Sequence, residues 1–233
     1  MEDILDLYAE PYKPRDPGVC FDERPFQLVS AVRQPLPMGP GQPRRYDYEY
    51  RRAGTCNLCM FFQPLQGWRH VKVTDRRTAQ DFAHCMKDLV DIHFPEATLI
   101  SVVMDNLNPH TPAALYEAFT PAEARRILRK LDLRYTPKHG SWLNMAEMEF
   151  AVLSTQGLDQ RLPSQAAVCH TVAAWETRRN VEQMKVNWRF TIPKARRTLK
   201  RVYPSYSSWW TPKYNHESYA AWAPMIDSTR PRH

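Results

Sequence analysis

Leu99-Ile-Ser-Val-Val-Met-Asp-Asn106 is apolar over its first six positions except at Ser101, then stops on an acid and an amide. A run this short and this continuous reads as a strand covered on both faces, and such strands belong to sheets with helices packed above and below. The polar pair Asp105-Asn106 then stands at the carboxyl end of the strand.

Upstream, Thr78 and Asp81 form a plausible helix N-cap pair, and Phe82, Cys85, Met86, Leu89, Val90 and His93 recur every three or four residues until Pro95 ends the helix. Before it, Tyr50–Leu65 and Trp68–Thr74 are rich in β-branched and aromatic residues and are separated by Gln66-Gly67, the pattern of an antiparallel hairpin. The Pro/Gly-rich run Gln34–Pro43 marks a long irregular loop, and Gly18–Asp22 reads as the first strand. Residues 1–17 read as a lead-in arm. Downstream, Thr120-Pro121-Ala122-Glu123 places an N-cap, a first-turn proline and a reaching glutamate in order, so a helix runs on through Ile127, Leu128 and Leu131. Leu131–Tyr135 reads as a further strand, Thr136–Gly140 as a turn, and Ser141 or Asn144 as the start of a helix carrying Glu147, Phe150 and Leu153. Val168, Val172, Trp175 and Val181 mark one more amphipathic helix. Strands, hairpin and helices in this order imply an α/β layer, a mixed five-stranded sheet flanked by helices, with the hairpin supplying its antiparallel part. The domain is expected to span 18–204, followed by an irregular extension over 205–233.

Only seven of the 233 residues are glycine, and none sits in a GxGxxG or GxxxxGK[ST] arrangement, which argues against a glycine-cradled nucleotide. No apolar stretch approaches the ~18 residues of a membrane span, and MEDILDLYAEP has neither a basic nor an apolar leader pattern. A soluble, unexported chain without a membrane partner is expected. Five cysteines, an odd number in apolar settings, suit reduced thiols in a cytoplasm. Cys56-x-x-Cys59 lies in an expected strand with no second pair, so zinc is not assigned to it.

Three acids stand where a hard cation could use them: Asp22 at the end of the first strand, Asp105 at the end of the fourth, and Glu147 early in a late helix. Mg²⁺ prefers oxygen ligands and is usually held by one or two carboxylates together with substrate phosphate and water. Two such ions about 3.5–4 Å apart would serve phosphodiester chemistry by a two-metal route. Glu23 competes with Asp22, and Glu149 with Glu147; spacing alone does not choose between them.

Cys20-Phe-Asp22-Glu23, Val103-Met-Asp105-Asn106-x-x-x-His110 and Tyr135-Thr-Pro-Lys-His-Gly-Ser-Trp-Leu143-Asn144-Met-Ala-Glu147 resemble the DDE endonuclease domain of bacterial insertion-sequence transposases in the mariner-like superfamily. The resemblance extends from Pro17 to Pro204 and takes in Pro40–Thr55, Gly67–Thr74 and Asn187–Thr191. It implies an RNase H-like fold in which Asp22, Asp105 and Glu147 hold two Mg²⁺ or Mn²⁺ ions, and the family's Leu-Asn-x-x-Glu ending selects Glu147 over Glu149. Asn106, His110 and Asn144 would support the site, and Lys138, His139 and Trp142 would touch DNA near the scissile bond. The implied activity is strand cleavage at transposon ends followed by transfer to target double-stranded DNA, by a homo-oligomer associated with the nucleoid. Members ordinarily carry helix-turn-helix domains ahead of the catalytic domain, so either a separate helix-turn-helix polypeptide is a further partner or the chain is a truncated remnant.

Charge agrees with an anionic partner. Lys and Arg number 32 against 25 Asp and Glu, a formal +7. Between Glu176 and Arg201 there are nine basic and two acidic residues, so this one segment equals the whole surplus. Arg178, Arg179, Arg189, Arg196 and Arg197, with Trp188, Phe190 and Tyr203 interleaved, are therefore expected to track DNA phosphates.

Overall fold

The computed structural model describes residues 1–33, 39–41, 48–106, 110–201 and 203. Most of the loop expected over 34–43 and the whole extension over 205–233 lie outside the described residues. The chain divides into two compact units, Met1–Ile192 and Pro193–His233.

The first unit is built on a five-stranded sheet of β1 (Gly18–Ala31), β2 (Tyr50–Gln63), β3 (Trp68–Thr74), β4 (Ile100–Met104) and β5 (Leu131–Tyr135), in the order β3-β2-β1-β4-β5. β1, β2 and β3 pair antiparallel, while β4 and β5 pair parallel to β1 and to each other. Every residue of β4 is buried, as the apolar run implied. Val19, Phe21, Cys59, Phe61, Ile100, Val102 and Met104 form one apolar face of the sheet. Against it pack α2 (Ala79–Asp88), which continues into a π-helical turn over Leu89–His93, α3 (Pro112–Ala118) and α4 (Pro121–Leu128). α5 (Ala146–Gln156) packs on β1 and β2, and α6 (Gln165–Val181) on β3.

Local chemistry sets the helix starts. Thr78 Oγ1 accepts from the Asp81 amide and Asp81 accepts back from the Thr78 amide, closing a capping box on α2. Thr120 and Ser164 cap α4 and α6 in the same sense. α3 carries the same Thr-Pro opening as α4, at Thr111-Pro112, a signal the sequence reading passed over.

The structure departs from expectation at both ends of β1. The lead-in arm begins with a helix, α1 (Glu2–Ala9), whose Ile4 and Leu5 are buried and whose Tyr8 hydroxyl donates to the Leu143 carbonyl at 2.6 Å. β1 also runs nine residues past Asp22, paired with β2 alone, through a register shift between Gln27 and Val29. Pro25 is tolerated there because β4 has ended and one side of the strand needs no donor.

β3 is an edge strand, and α6 closes its backbone. Glu176 accepts from the Val71 amide at 2.9 Å, while Asn180 accepts from the Arg69 amide and donates to the Arg69 carbonyl. The hairpin turn is clamped from the same side. Gly67 has φ +68, and a Cβ there would stand 2.6 Å from the Gln183 carbonyl carbon, so backbone passes where only glycine leaves room. In the second unit the described element is α7 (Ile192–Thr198), with Ala195 buried.

Candidate active site

Parallel pairing brings two of the three expected acids level with each other. Gly18, Val19 and Cys20 face Ser101, Val102 and Val103, so each partner on β4 lies 83 positions after its mate on β1. Asp105 lies 83 positions after Asp22. The pairing stops at Cys20 and Val103, two residues short of both acids, so Asp22 and Asp105 follow the same pair at the same distance along neighbouring chains.

Alternation along β1 then separates Asp22 from Glu23. Phe21 belongs to the face covered by α2–α4, so Glu23 shares that side and Asp22 points to the other, where α5 packs. Asn144 pins the start of α5 there: its Nδ2 donates to the Phe21 carbonyl at 2.8 Å, and its Oδ1 accepts from the Ala146 amide at 3.2 Å. Glu147 follows in the first turn, exposed. Glu149, its rival, is 4% exposed and lies in a buried ion pair with Arg69 Nε at 3.1 Å and Arg179 Nη2 at 2.8 Å. One glutamate is consumed by packing and the other is left facing outward.

The charges of Asp105 and Glu147 both reach Asp22. Burial pushes the Asp22 carboxyl up to about 7; the Glu23 amide, which donates to its Oδ1 at 2.8 Å, works against that, while the charges of Asp105 and Glu147 add to it. His110 sits fully buried, with Nδ1 3.2 Å from Asp105 Oδ1 and Nε2 3.4 Å from Glu23 Oε2. Burial alone would lower its pKa, but contact with Asp105 and Glu23 outweighs that and raises it to about 9. At those separations both contacts are ion pairs without aligned hydrogen-bond geometry, and Asp105 Oδ1 has no hydrogen-bond donor.

Among the described residues no three His, Cys, Asp or Glu side chains form a closed ligand cluster. The donor chemistry nevertheless fits a hard divalent cation. Asp22, Asp105 and Glu147 supply oxygens alone, their charges oppose one another, and Mg²⁺ or Mn²⁺ needs only one or two protein carboxylates when water and phosphate complete its shell.

The loop after β5 forms the rim. Met104 pairs with Tyr135, and the Thr136 amide donates to the Met104 carbonyl, so the turn rises beside Asp105. Asp105, Asn106, Thr136, Lys138, His139 and Ser141 line one cleft at the carboxyl ends of β4 and β5. His139 adopts φ +63, a left-handed conformation uncommon for a residue with a Cβ. Trp142 is 42% exposed, with its ring edge-on to Phe190 at 5.3 Å.

Within the first unit, Arg178, Arg179 and Arg189 do not line this cleft. Arg178 is exposed in a separate cleft with Gln156, His170 and Thr171. Arg189 is exposed one residue before Phe190, and Arg196 and Arg197 lie on α7. Arg179 does not present its charge to solvent at all: it is 8% exposed and committed to Glu149, because its turn of α6 faces the sheet. The sequence reading also missed Tyr8, which touches Cys20 Sγ at 3.2 Å and braces the turn before Asn144. Ile4, Leu5 and Tyr8, spaced as one helix face, carried the signal for it.

A family model described as DDE superfamily endonuclease matches residues 17–169. The chain belongs to the DDE superfamily of endonucleases. Its α/β architecture is the RNase H-like fold of the Mos1 transposase. The Mos1 mariner paired-end complex with Mn and the Mos1 transposase paired-end complex with the left transposon end each superpose with a TM-score of 0.53 at 18% identity, over 78% of this chain and 56% of theirs. The Mos1 strand transfer complex gives 0.52 at 16%, over 78% and 55%. The chain thus spans a little over half the length of those Mos1 chains. No curated protein matches it. Among the described residues no helix is long and apolar enough to cross a membrane.

Proposed function

We propose that this DDE-superfamily domain cleaves DNA strands and joins the freed ends to target DNA, using Asp22, Asp105 and Glu147 to hold Mg²⁺ or Mn²⁺, as the catalytic step of insertion-sequence transposition. The observation that carries the reading is the convergence on Asp22: its carboxyl is buried and feels the charges of both Asp105 and Glu147. Asp22, buried and opposed by the charges of Asp105 and Glu147, is a carboxylate that a bound cation would stabilise.

The protein's part is positional. β1 carries Asp22 within the strand, β4 ends just before Asp105, and Asn144 sets the helix that presents Glu147. Glu23 and Glu149 are withheld, the first beneath the sheet and the second within the Arg69–Arg179 pair. Lys138 and His139 offer donors to a phosphate lying along the cleft, and the exposed face of Trp142 offers a stacking surface to a base. Bound divalent ions would polarise the scissile phosphate and lower the pKa of the attacking water or hydroxyl. The Mos1 complexes of the same fold, one with Mn and one with a transposon end, support carrying metal and DNA over to this chain.

Purified protein with Mg²⁺ or Mn²⁺ is expected to nick supercoiled plasmid. Asp105→Asn should abolish nicking while DNA binding in a gel-shift assay stays within twofold. Equal nicking by Asp105→Asn would remove the mechanism.

A further inference from the structure

The acids that the catalytic reading leaves over are not idle. Glu23 is wholly buried one residue after Asp22, an expensive place for a carboxylate unless it is paired. It accepts from Arg77 Nε at 2.7 Å and faces His110 Nε2 at 3.4 Å through the same oxygen, Oε2. His110 is equally buried, its ring stacked on Phe82 at 5.0 Å and edge-on to Phe21 at 5.5 Å, while its carbonyl accepts from the Tyr135 hydroxyl at 2.8 Å. Its remaining nitrogen, Nδ1, lies 3.2 Å from Asp105 Oδ1 and 3.4 Å from the Asp105 carbonyl oxygen. A continuous array of charge thus runs from Arg77 through Glu23 and His110 to Asp105. It crosses beneath β1 on the face opposite Asp22.

Asp105 needs such a support. It lies one residue beyond the last paired position of β4, its carbonyl oxygen is 3.4 Å from His110 Nδ1, and its side chain is still partly exposed. On the assumption that the acidic site is as proposed above, we infer that Glu23 and His110 are positioning residues: Glu23 orients the imidazole, and the imidazole holds Asp105 level with Asp22. The adjacent pair Asp22-Glu23 then has divided duties set by strand alternation, one side chain facing the cation and the other bracing its partner from behind. A histidine that merely fills the core would need neither the buried carboxylate nor the contact to Asp105.

Binding of Mn²⁺ to the full chain, followed by loss of the free-ion electron paramagnetic resonance signal, tests this without DNA or turnover. Wild type should bind, and Asp105→Asn should lose binding. His110→Ala is expected to weaken Mn²⁺ binding roughly 10- to 100-fold, the usual cost of removing a partner of a metal ligand. His110→Asn, whose amide can stand where Nδ1 stands, should recover part of the loss. Glu23→Gln should also weaken binding, and adding it to His110→Ala should cost nothing more, because the two act in series. Thermal unfolding certifies that each variant is folded; if His110→Ala is not, the isosteric Glu23→Gln carries the comparison alone. Folded variants that bind Mn²⁺ within twofold of wild type, while Asp105→Asn does not bind, overturn the positioning role and leave the acidic site standing. Fully additive losses overturn the serial arrangement. A wild type that binds no Mn²⁺, or an Asp105→Asn that binds as well, overturns the acidic site and this inference with it.

Discussion

At the scale of the residue, two pairs of neighbouring acids, Asp22/Glu23 and Glu147/Glu149, show how identical chemistry is assigned opposite tasks. Glu149 neutralises two buried guanidinium groups, and breaking a buried ion pair from one side leaves uncompensated charge worth about 3–5 kcal/mol. Glu149→Ala is therefore expected to unfold at markedly lower urea, whereas Glu147→Gln, at an exposed first-turn position, should leave the urea midpoint unchanged and abolish nicking. The pair of measurements exchanges its outcome if the two roles are reversed. Asp22 carries a pH signature. Its folded pKa of about 7 lies above the ordinary carboxylate value of 3.8, so the folded, metal-free state binds the proton more tightly than the unfolded state. The resulting stabilisation is complete below about pH 4 and lost as pH rises through 7. Asp22→Asn should thus raise the melting temperature of metal-free protein at pH 8 by several degrees, on the order of 1–2 kcal/mol, and give little change at pH 4. Scanning calorimetry at the two pH values checks it, and a variant less stable than wild type at pH 8 contradicts it.

At the scale of the element, the site depends on how α5 and α6 are moored to the sheet. α6 satisfies the edge of β3 through Glu176 and Asn180, and the chain after it returns to the hairpin: the Val186 amide donates to the Pro64 carbonyl, and Arg69 donates to the Met184 carbonyl. Gly67 is the point of closest approach. Gly67→Ala combines a left-handed conformation with a Cβ 2.6 Å from backbone, and is expected to cost at least about 2 kcal/mol, read as a lower urea midpoint at constant slope. A neutral outcome would mean that the Gln183–Met184 backbone yields easily. Much of this level was legible locally. The capping box of α2, the Thr-Pro start of α4 and the Gln66-Gly67 hairpin all appear where short-range chemistry placed them. α1 went unread because its apolar face is two turns long, and the far half of β1 because Pro25 interrupts a strand pattern that is legal only at an edge.

At the scale of the whole molecule, net charge has to be divided by place before it predicts binding. Of the basic residues between Glu176 and Arg201, Arg179 is spent inside the fold, while Arg178 and Arg189 remain exposed. Each exposed arginine that contacts a phosphate contributes about 0.9 to the slope of log affinity against log salt. Arg178→Ala and Arg189→Ala are each expected to weaken DNA binding and flatten that slope by about this amount, whereas Arg179→Ala should lower the melting temperature. Fluorescence anisotropy at several salt concentrations distinguishes them, and an unchanged slope in both exposed variants would remove this segment from the DNA interface.

The chain's own order of residues was enough to establish the α/β class, the mixed sheet with its hairpin, most helix starts and the carboxyl-end placement of Asp105. Those features follow from interactions within a few residues, such as caps, periodicity and an apolar run. That Glu149 and Arg179 are paired inside the fold, and that Glu23 and His110 lie buried beside Asp105, were visible only in three dimensions. Alternation separates Asp22 from Glu23, but the face that matters is the one α5 covers. The helix spacing left Glu147 and Glu149 equivalent until Arg69 and Arg179, distant in the chain, neutralised one of them.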